Sequence, residues 1–384
     1  MTVKPLSLVT AVAIVLLALG CHPRPSRVVF GIGMSTNTHD AVQLAAREIN
    51  AEGGIGGAPL ELVGLDFNGL QNPFDPVTVL AVADRFIANK DLLAVIGHSD
   101  SASTLSAAAS YNKHGVPQIV TIATNPAITS VGVWTYRLCL SDAAQGPALA
   151  EYAVQDWHKR RIAVFYVNDD YGRGLDHLFE RRVRELGGEI VASVMHRNTL
   201  VDDDKTLIQL TLTGMKRGTS PDLIVLFQRV AAAEWTVRAI RHAALAVDIL
   251  GGDNLAQYSL AALGPELTTG IRVSQFFNLD LSDARTERFA RAFRQLAGSD
   301  PDYTQAFAYD AVYLLRDAVL HGGQSRVGVK GYLDRLIQGQ VPTRGVGGTF
   351  TLGADHDARR PLYVSEIRNG QFAILKALPV RLVE

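Results

Sequence analysis

The sequence predicts an α/β protein of two doubly wound parallel-sheet lobes, joined by a multi-strand hinge, with a ligand cleft between them. Three observations carry that prediction. Short apolar runs alternate with amphipathic helical patterns along most of the chain. The apolar runs are nearly continuous, as expected of parallel strands covered on both faces. The alternation restarts after residue 141, and a third segment returns later. In such sheets ligands bind beyond the carboxyl ends of the strands, so two facing lobes would collect several strand ends at one cleft.

The elements follow in order. VVFGI (28–32) reads as a strand, and 40–51 as a helix with Val42, Ala45, Ala46 and Ile49 on one face and Gly53 just past its end. Strands are expected at 60–66, 92–96, 117–122 and 135–140, with helices at 77–88 and 101–113 between them. After residue 141 come helix 143–157, strand 161–167, helix 172–186, strand 189–195, helix 204–217, strand 222–227, helix 231–244 and strand 247–253. The third segment opens with strand 271–277 and continues with helices at 284–297, 303–321 and 327–338. The end is β-rich: 349–352, 361–367 and 371–377, with Asn369-Gly370 as a hairpin turn.

Composition and address exclude several classes. Hydrophobic residues at 47% and charged residues at 20% describe an ordinary globular chain rather than a disordered one. A net charge of −1 gives no electrostatic case for nucleic acid or an acidic membrane face. Lys4 precedes sixteen uncharged residues, PLSLVTAVAIVLLALG, which end at Cys21. This is a secretory signal over 1–20, and Ala18-Leu19-Gly20-Cys21 resembles a bacterial lipobox, in which Cys21 is lipidated and becomes the first mature residue. The other reading is an uncleaved anchor helix; both place the domain outside the cytoplasm, at the periplasm or cell surface. The prolines of 22–26 suit a tether. Cys139, the only other cysteine, lies in an apolar strand pattern and reads as a small buried hydrophobe. No CxxC-type metal cluster is present, and no cofactor motif: GIGMST (31–36) lacks the third small position of G-x-G-x-x-G, and GGIGG (53–57) follows a helix.

The informative residues stand at strand ends. Ser101 opens a helix, where free N–H groups and the helix dipole favour an anion such as a carboxylate. Ala123, Thr124 and Asn125 form a tight loop before Pro126, which can offer backbone N–H groups and a hydroxyl. Asp142 follows 135–140, Tyr171 follows 161–167 and Asp253 follows 247–251. The first lobe thus supplies hydroxyls and N–H groups, the second carboxylates and an aromatic ring. A molecule with one carboxylate and one ammonium would satisfy both sides, and the Tyr171 ring could cover the cation. Each residue has a plainer reading: Ser101 and Asp142 as helix N-caps, Thr124 and Asn125 as turn residues, Tyr171 packed on its own helix, Asp253 in a solvated loop. Their common position, at one end of successive strands, favours the functional one.

Five stretches, REINAEGGIGGAPLEL (47–62), AVIGHSDSAST (94–104), TNPAIT (124–129), SDAAQGPALAEYAV (141–154) and YVNDDYGRGL (166–175), together resemble the bacterial binding proteins for leucine, isoleucine and valine. These have the type I periplasmic binding fold, shared with the ligand domains of metabotropic glutamate receptors. The resemblance implies amino-acid ligands held at Ser101, Ala123, Thr124, Asp142, Tyr171 and Asp253. Ser101 and Thr124 would hold the α-carboxylate, Asp142 and Asp253 would neutralise the ammonium, and Tyr171 would pack over the ligand on closure. It also implies partner ABC permease subunits and lobes of 28–141 with 276–348 and of 142–275 with 349–384, after a lipidated Cys21 and tether over 21–27. Three departures stand out. The first βα loop (33–40) is short, Asp100 stands where some relatives have a cysteine, and Arg229 and Val230 stand where an aromatic is expected.

Two other functions compete with an importer's binding subunit. One keeps the fold but makes it a sensor for amides, urea or small organic acids. The other is a serine hydrolase using Ser99 or Ser101. Gly97-His98-Ser99-Asp100-Ser101 approaches a G-x-S-x-G elbow, but the second glycine is missing. A hydrolase would also need a base, and His98, adjacent in sequence, is expected to point elsewhere.

Overall fold

The computed structural model describes residues 27–65, 75–218, 220–281 and 283–380. The signal segment 1–20, Cys21 and the tether up to residue 26 lie outside the described residues, as do the predicted strand end at Asp66 and the last four residues.

The first sheet contains β1 (Val28–Gly33), β2 (Leu60–Val63), β3 (Leu92–Gly97), β4 (Gln118–Val120) and β5 (Thr135–Arg137). Its order is β2-β1-β3-β4-β5, and all neighbours are parallel. The central strands are buried on both faces, which is why their sequences run apolar without alternation. The second sheet contains β6 (Arg161–Val167), β7 (Glu189–His196), β8 (Leu223–Phe227), β9 (Asp248–Gly251) and β10 (Arg272–Gln275). A small third sheet holds β11 (Thr343–Gly345), β12 (Gly348–Leu352) and β13 (Ala358–Arg359). The final hairpin, β14 (Leu362–Arg368) and β15 (Gln371–Leu378), extends the second sheet antiparallel to β10, in the order β15-β14-β10-β9-β8-β6-β7. Two doubly wound lobes with a multi-strand connection are therefore present.

The chain passes between the lobes at Leu138–Ser141, at Phe276–Asn278 and at Arg360–Pro361. The first crossing explains why β5 stops at Arg137 rather than 140: the chain leaves the sheet there to reach the second lobe. The expected division at 348/349 falls inside the small third sheet. β12 pairs with β11, and β13 follows it onto the edge of the first lobe, where Arg137 N donates to His356 O over 2.9 Å. The chain rejoins the second sheet only at Leu362. The helix expected over 143–157 is an α-helix over Asp142–Glu151 continued by a π turn over Tyr152–Asp156.

One ion pair locks the third crossing to the first. Arg137 is fully buried, and its Nε and Nη2 donate to the two carboxylate oxygens of Asp357 over 2.8 and 2.7 Å. Arg137 Nη1 donates to Asn125 O over 2.7 Å, so the same guanidinium holds the loop after β4. Burial opposes the charge of Arg137, and Asp357 outweighs it.

Removing one partner of such a pair leaves an uncompensated buried charge. Asp357→Ala is expected to cost about 3–5 kcal/mol in urea unfolding. Combining it with Arg137→Met should recover part of that loss; a single variant as stable as the parent would show that the pair locks nothing.

Candidate functional site

The caps at the strand ends decide which polar groups are available. The helix Ser101–His114 is capped by the residue before it: Asp100 accepts from Ser103 N (3.0 Å) and from the Ser103 hydroxyl (2.6 Å). Asp100 is consequently buried. The helix Asp142–Glu151 is likewise capped by Ser141, through Ala143 N at 3.3 Å. Ser101 and Asp142 are thus first helical residues rather than caps, which removes their plainer reading. Asp169 caps the helix Asp170–Glu185 through Gly172 N at 2.9 Å and sets Tyr171 in its first turn.

These ends line an open cavity of about 180 Å³ between the lobes. Of the six residues expected at the site, Ser101, Ala123, Tyr171 and Asp253 line it. Thr124 and Asp142 do not. They lie fully buried behind the wall, with Asp142 N donating to Thr124 O over 2.8 Å. Thr124 Oγ1 and Asp142 Oδ2 have no hydrogen-bond partner among the described residues. Ser101 Oγ accepts from Asn125 N at 3.3 Å, and Ser99 Oγ accepts from Ser35 N. The short loop 33–40 still reaches the wall, through Ser35 and Asn37.

The second lobe's wall centres on Asp253. Its Oδ1 accepts from Gln145 Nε2 (2.9 Å) and the Tyr171 hydroxyl (3.1 Å), and its Oδ2 from the Tyr303 hydroxyl (3.1 Å). Gly252 allows the Tyr171 contact, because a Cβ there would stand 2.7 Å from that hydroxyl. Gln145 also donates to Asp142 Oδ1 at 3.2 Å, so one amide joins two buried carboxyl groups. Burial and the Asp253 charge push the Asp142 carboxyl well above the usual carboxylate range, and the nearby Thr124 hydroxyl, short of a well-formed hydrogen bond, pulls it part of the way back together with the Arg137 charge and Gln145. Burial also raises Asp253, against its bonds from Gln145, Tyr303 and Tyr171. Burial and Asp253 hold the Tyr171 and Tyr303 phenols neutral.

Tyr303 belongs to the first lobe, so its bond to Asp253 spans the cleft. So does that from Asn125 Nδ2 to Asp170 O at 2.6 Å. Arg229 lines the cavity with its guanidinium 5.9 Å from the Tyr171 ring. It donates to Asp169 (2.7 Å) and Asn198 (3.2 Å), and Asp100 on the other lobe also favours its charge. Sequence reasoning missed Gln145 and Tyr303 and took Arg229 only as a departure. Gln145 had a signal, since three residues after Asp142 it shares that helix's face. Tyr303 had none, because its place depends on how the third segment docks.

His98 gives the serines no base. It is buried, its Nε2 lies 3.1 Å from the Tyr111 hydroxyl, and burial lowers it to about 4.

A cavity between two lobes, walled by strand ends from each, is the place where such a fold holds a small solute. Residues 31–371 match the family described as periplasmic binding protein, and the chain belongs to that family. Its role is accordingly solute binding outside the cytoplasm. The chain is 25% identical over 355 residues to Leu/Ile/Val-binding protein homolog 1 of Brucella abortus, covering 88% of this chain and 89% of that one. An amino acid binding protein of Pseudomonas aeruginosa is 29% identical over 230 residues, 59% of each chain. Among solved structures, the branched-chain amino acid transporter substrate binding protein LivJ of Streptococcus pneumoniae, in complex with isoleucine, superposes with a TM-score of 0.80 at 25% identity, over 92% of this chain and all of that one.

The raised Asp142 carboxyl has a consequence for stability. The folded chain holds that proton more tightly than the unfolded chain, whose carboxyl titrates near 3.8. Stability contributed by the protonated group is therefore lost as pH rises above that value. Asp142→Asn should raise the melting temperature of ligand-free protein at pH 8 and change it little at pH 4. A lower melting temperature at pH 8 would show that the ionised group stabilises the fold instead.

Proposed function

We propose that this protein is the binding subunit of an ABC importer, captures an α-amino acid between its lobes, and is tethered to the membrane through a lipid on Cys21. The reading is carried by one observation: Asp253 stands on the cavity wall with three hydrogen bonds already accepted. A carboxylate has about four acceptor positions, so one is left for a donor inside the cavity, and an ammonium fits it. Ser101 and Ala123 line the same cavity from the first lobe, where the start of the helix Ser101–His114 favours a carboxylate. Tyr171 covers the bound molecule. Asp142 adds negative potential from behind Asp253, and Thr124 fixes the loop that carries Ala123.

The size agrees. A cavity of roughly 150 Å³ accommodates benzene, so one of about 180 Å³ accommodates a small amino acid. Ligand would close the lobes by adding bonds to both walls, joining the Tyr303–Asp253 and Asn125–Asp170 contacts. The family names of the relatives support an amino-acid ligand, and the carboxyl pair supports a cationic end.

Calorimetric titration of unfolded and refolded protein, stripped of ligand, against the twenty amino acids tests this. At least one should bind at micromolar or tighter. Asp253→Asn should weaken that binding by roughly 30-fold or more, the scale for truncating a buried charge pair. If no amino acid binds while an amide, urea or an organic acid does, the sensor reading takes its place.

A further inference from the structure

The geometry points to a ligand whose side chain is polar and uncharged, an amide or a hydroxyl, rather than a branched aliphatic one. This rests on the amino-acid reading above and deepens it. Once Ser101, Ala123, Tyr171 and Asp253 are given to the α-carbon end, the side chain meets the rest of the wall. Asn37, Ser99, Arg229, Asn254 and Gln257 stand there beside the apolar Ile122 and Val230 and the Tyr303 ring. A leucine side chain there would cover polar groups and offer them nothing in return.

Two of those groups are open. Arg229 uses Nε and Nη2 on Asn198 and Asp169, and its Nη1 has no hydrogen-bond partner among the described residues. Gln257 donates from Nε2 to Asn254 O at 3.0 Å, and its Oε1 accepts no hydrogen bond among them. One wall therefore offers a free donor and a free acceptor. A primary amide or a hydroxyl answers both, since each group donates and accepts. An acidic side chain is disfavoured because the Arg229 charge is already met by Asp169 at 2.7 Å and by nearby Asp100, which also lines the cavity. A site built to hydrogen-bond a polar group rejects the apolar analogue strongly, whereas an apolar pocket discriminates weakly.

The test compares calorimetric affinities of stripped protein for glutamine, asparagine, serine and threonine with those for leucine, isoleucine, valine, glutamate and aspartate. At least one amide or hydroxyl amino acid should bind tenfold or more tighter than all of the second set. Arg229→Met and, separately, Gln257→Leu should each reduce that preference about tenfold, with leucine binding unchanged or improved. Thermal melts establish that each variant is folded, and the second variant stands if loss of the Asp169 contact unfolds the first. Leucine, isoleucine or valine binding as tightly as the polar set would overturn the inference and leave the amino-acid reading intact. Preference for glutamate or aspartate would overturn the uncharged part. Binding of no amino acid would overturn the reading beneath it.

Discussion

Two carboxyl groups, Asp142 and Asp253, are buried where the lobes meet, and the centre of the molecule is organised around their charge. Gln145 donates to both, and its own oxygen accepts from Asp253 N and from the Ser274 hydroxyl at the end of β10. Two phenols, one from each lobe, complete the set on Asp253. A buried negative charge without a cation is costly, and here no basic side chain bonds to either carboxylate among the described residues. Burial favours a retained proton on this pair, and under the proposed amino-acid reading a cation in the cavity would take that proton's place. That exchange would supply what a binding protein needs, because only a preference for the closed, occupied state moves the equilibrium toward it.

The first lobe serves this centre by holding its loops still. Arg137, pinned by Asp357, fixes the carbonyl of Asn125 and with it the loop of Ala123 and Thr124. Since Asp357 lies just before the third crossing, the loop that faces the ligand and a strand of the hinge share one buried ion pair. Asp100, spent on capping its helix, leaves Ser101 in the first helical turn against the cavity. Rigid walls of this kind reduce the ordering cost of capture.

Much of this was legible in sequence, for physical reasons that also mark the limits. The strands of both lobes were readable because central parallel strands are apolar throughout, and the helices because one face of each packs on a sheet. Ser101, Ala123, Tyr171 and Asp253 were readable because they follow strands and the fold sends those ends to one place. The separation of Thr124 and Asp142 from the cavity wall was not, since it depends on side-chain depth rather than on strand order. That Asp100 and Ser141 do the capping was not legible either, because Ser101 and Asp142 are as suited to it. Tyr303 and Asp357 reach partners 50 and 220 residues away, and no local pattern announces a contact at that range. The position of β12 and β13 was hidden for the same reason: a short β-rich tail can join either lobe.

The central claim is that the buried carboxyl pair meets a cation when the solute binds. Calorimetric titration with the tightest-binding amino acid, in buffers of different ionisation enthalpy across pH 5 to 8, measures the protons exchanged. Because burial raises both carboxyl groups and a bound ammonium would favour their ionised forms, binding should release protons. Binding without proton release, or with uptake, would mean that the ligand's cationic end is not held by Asp253 and Asp142.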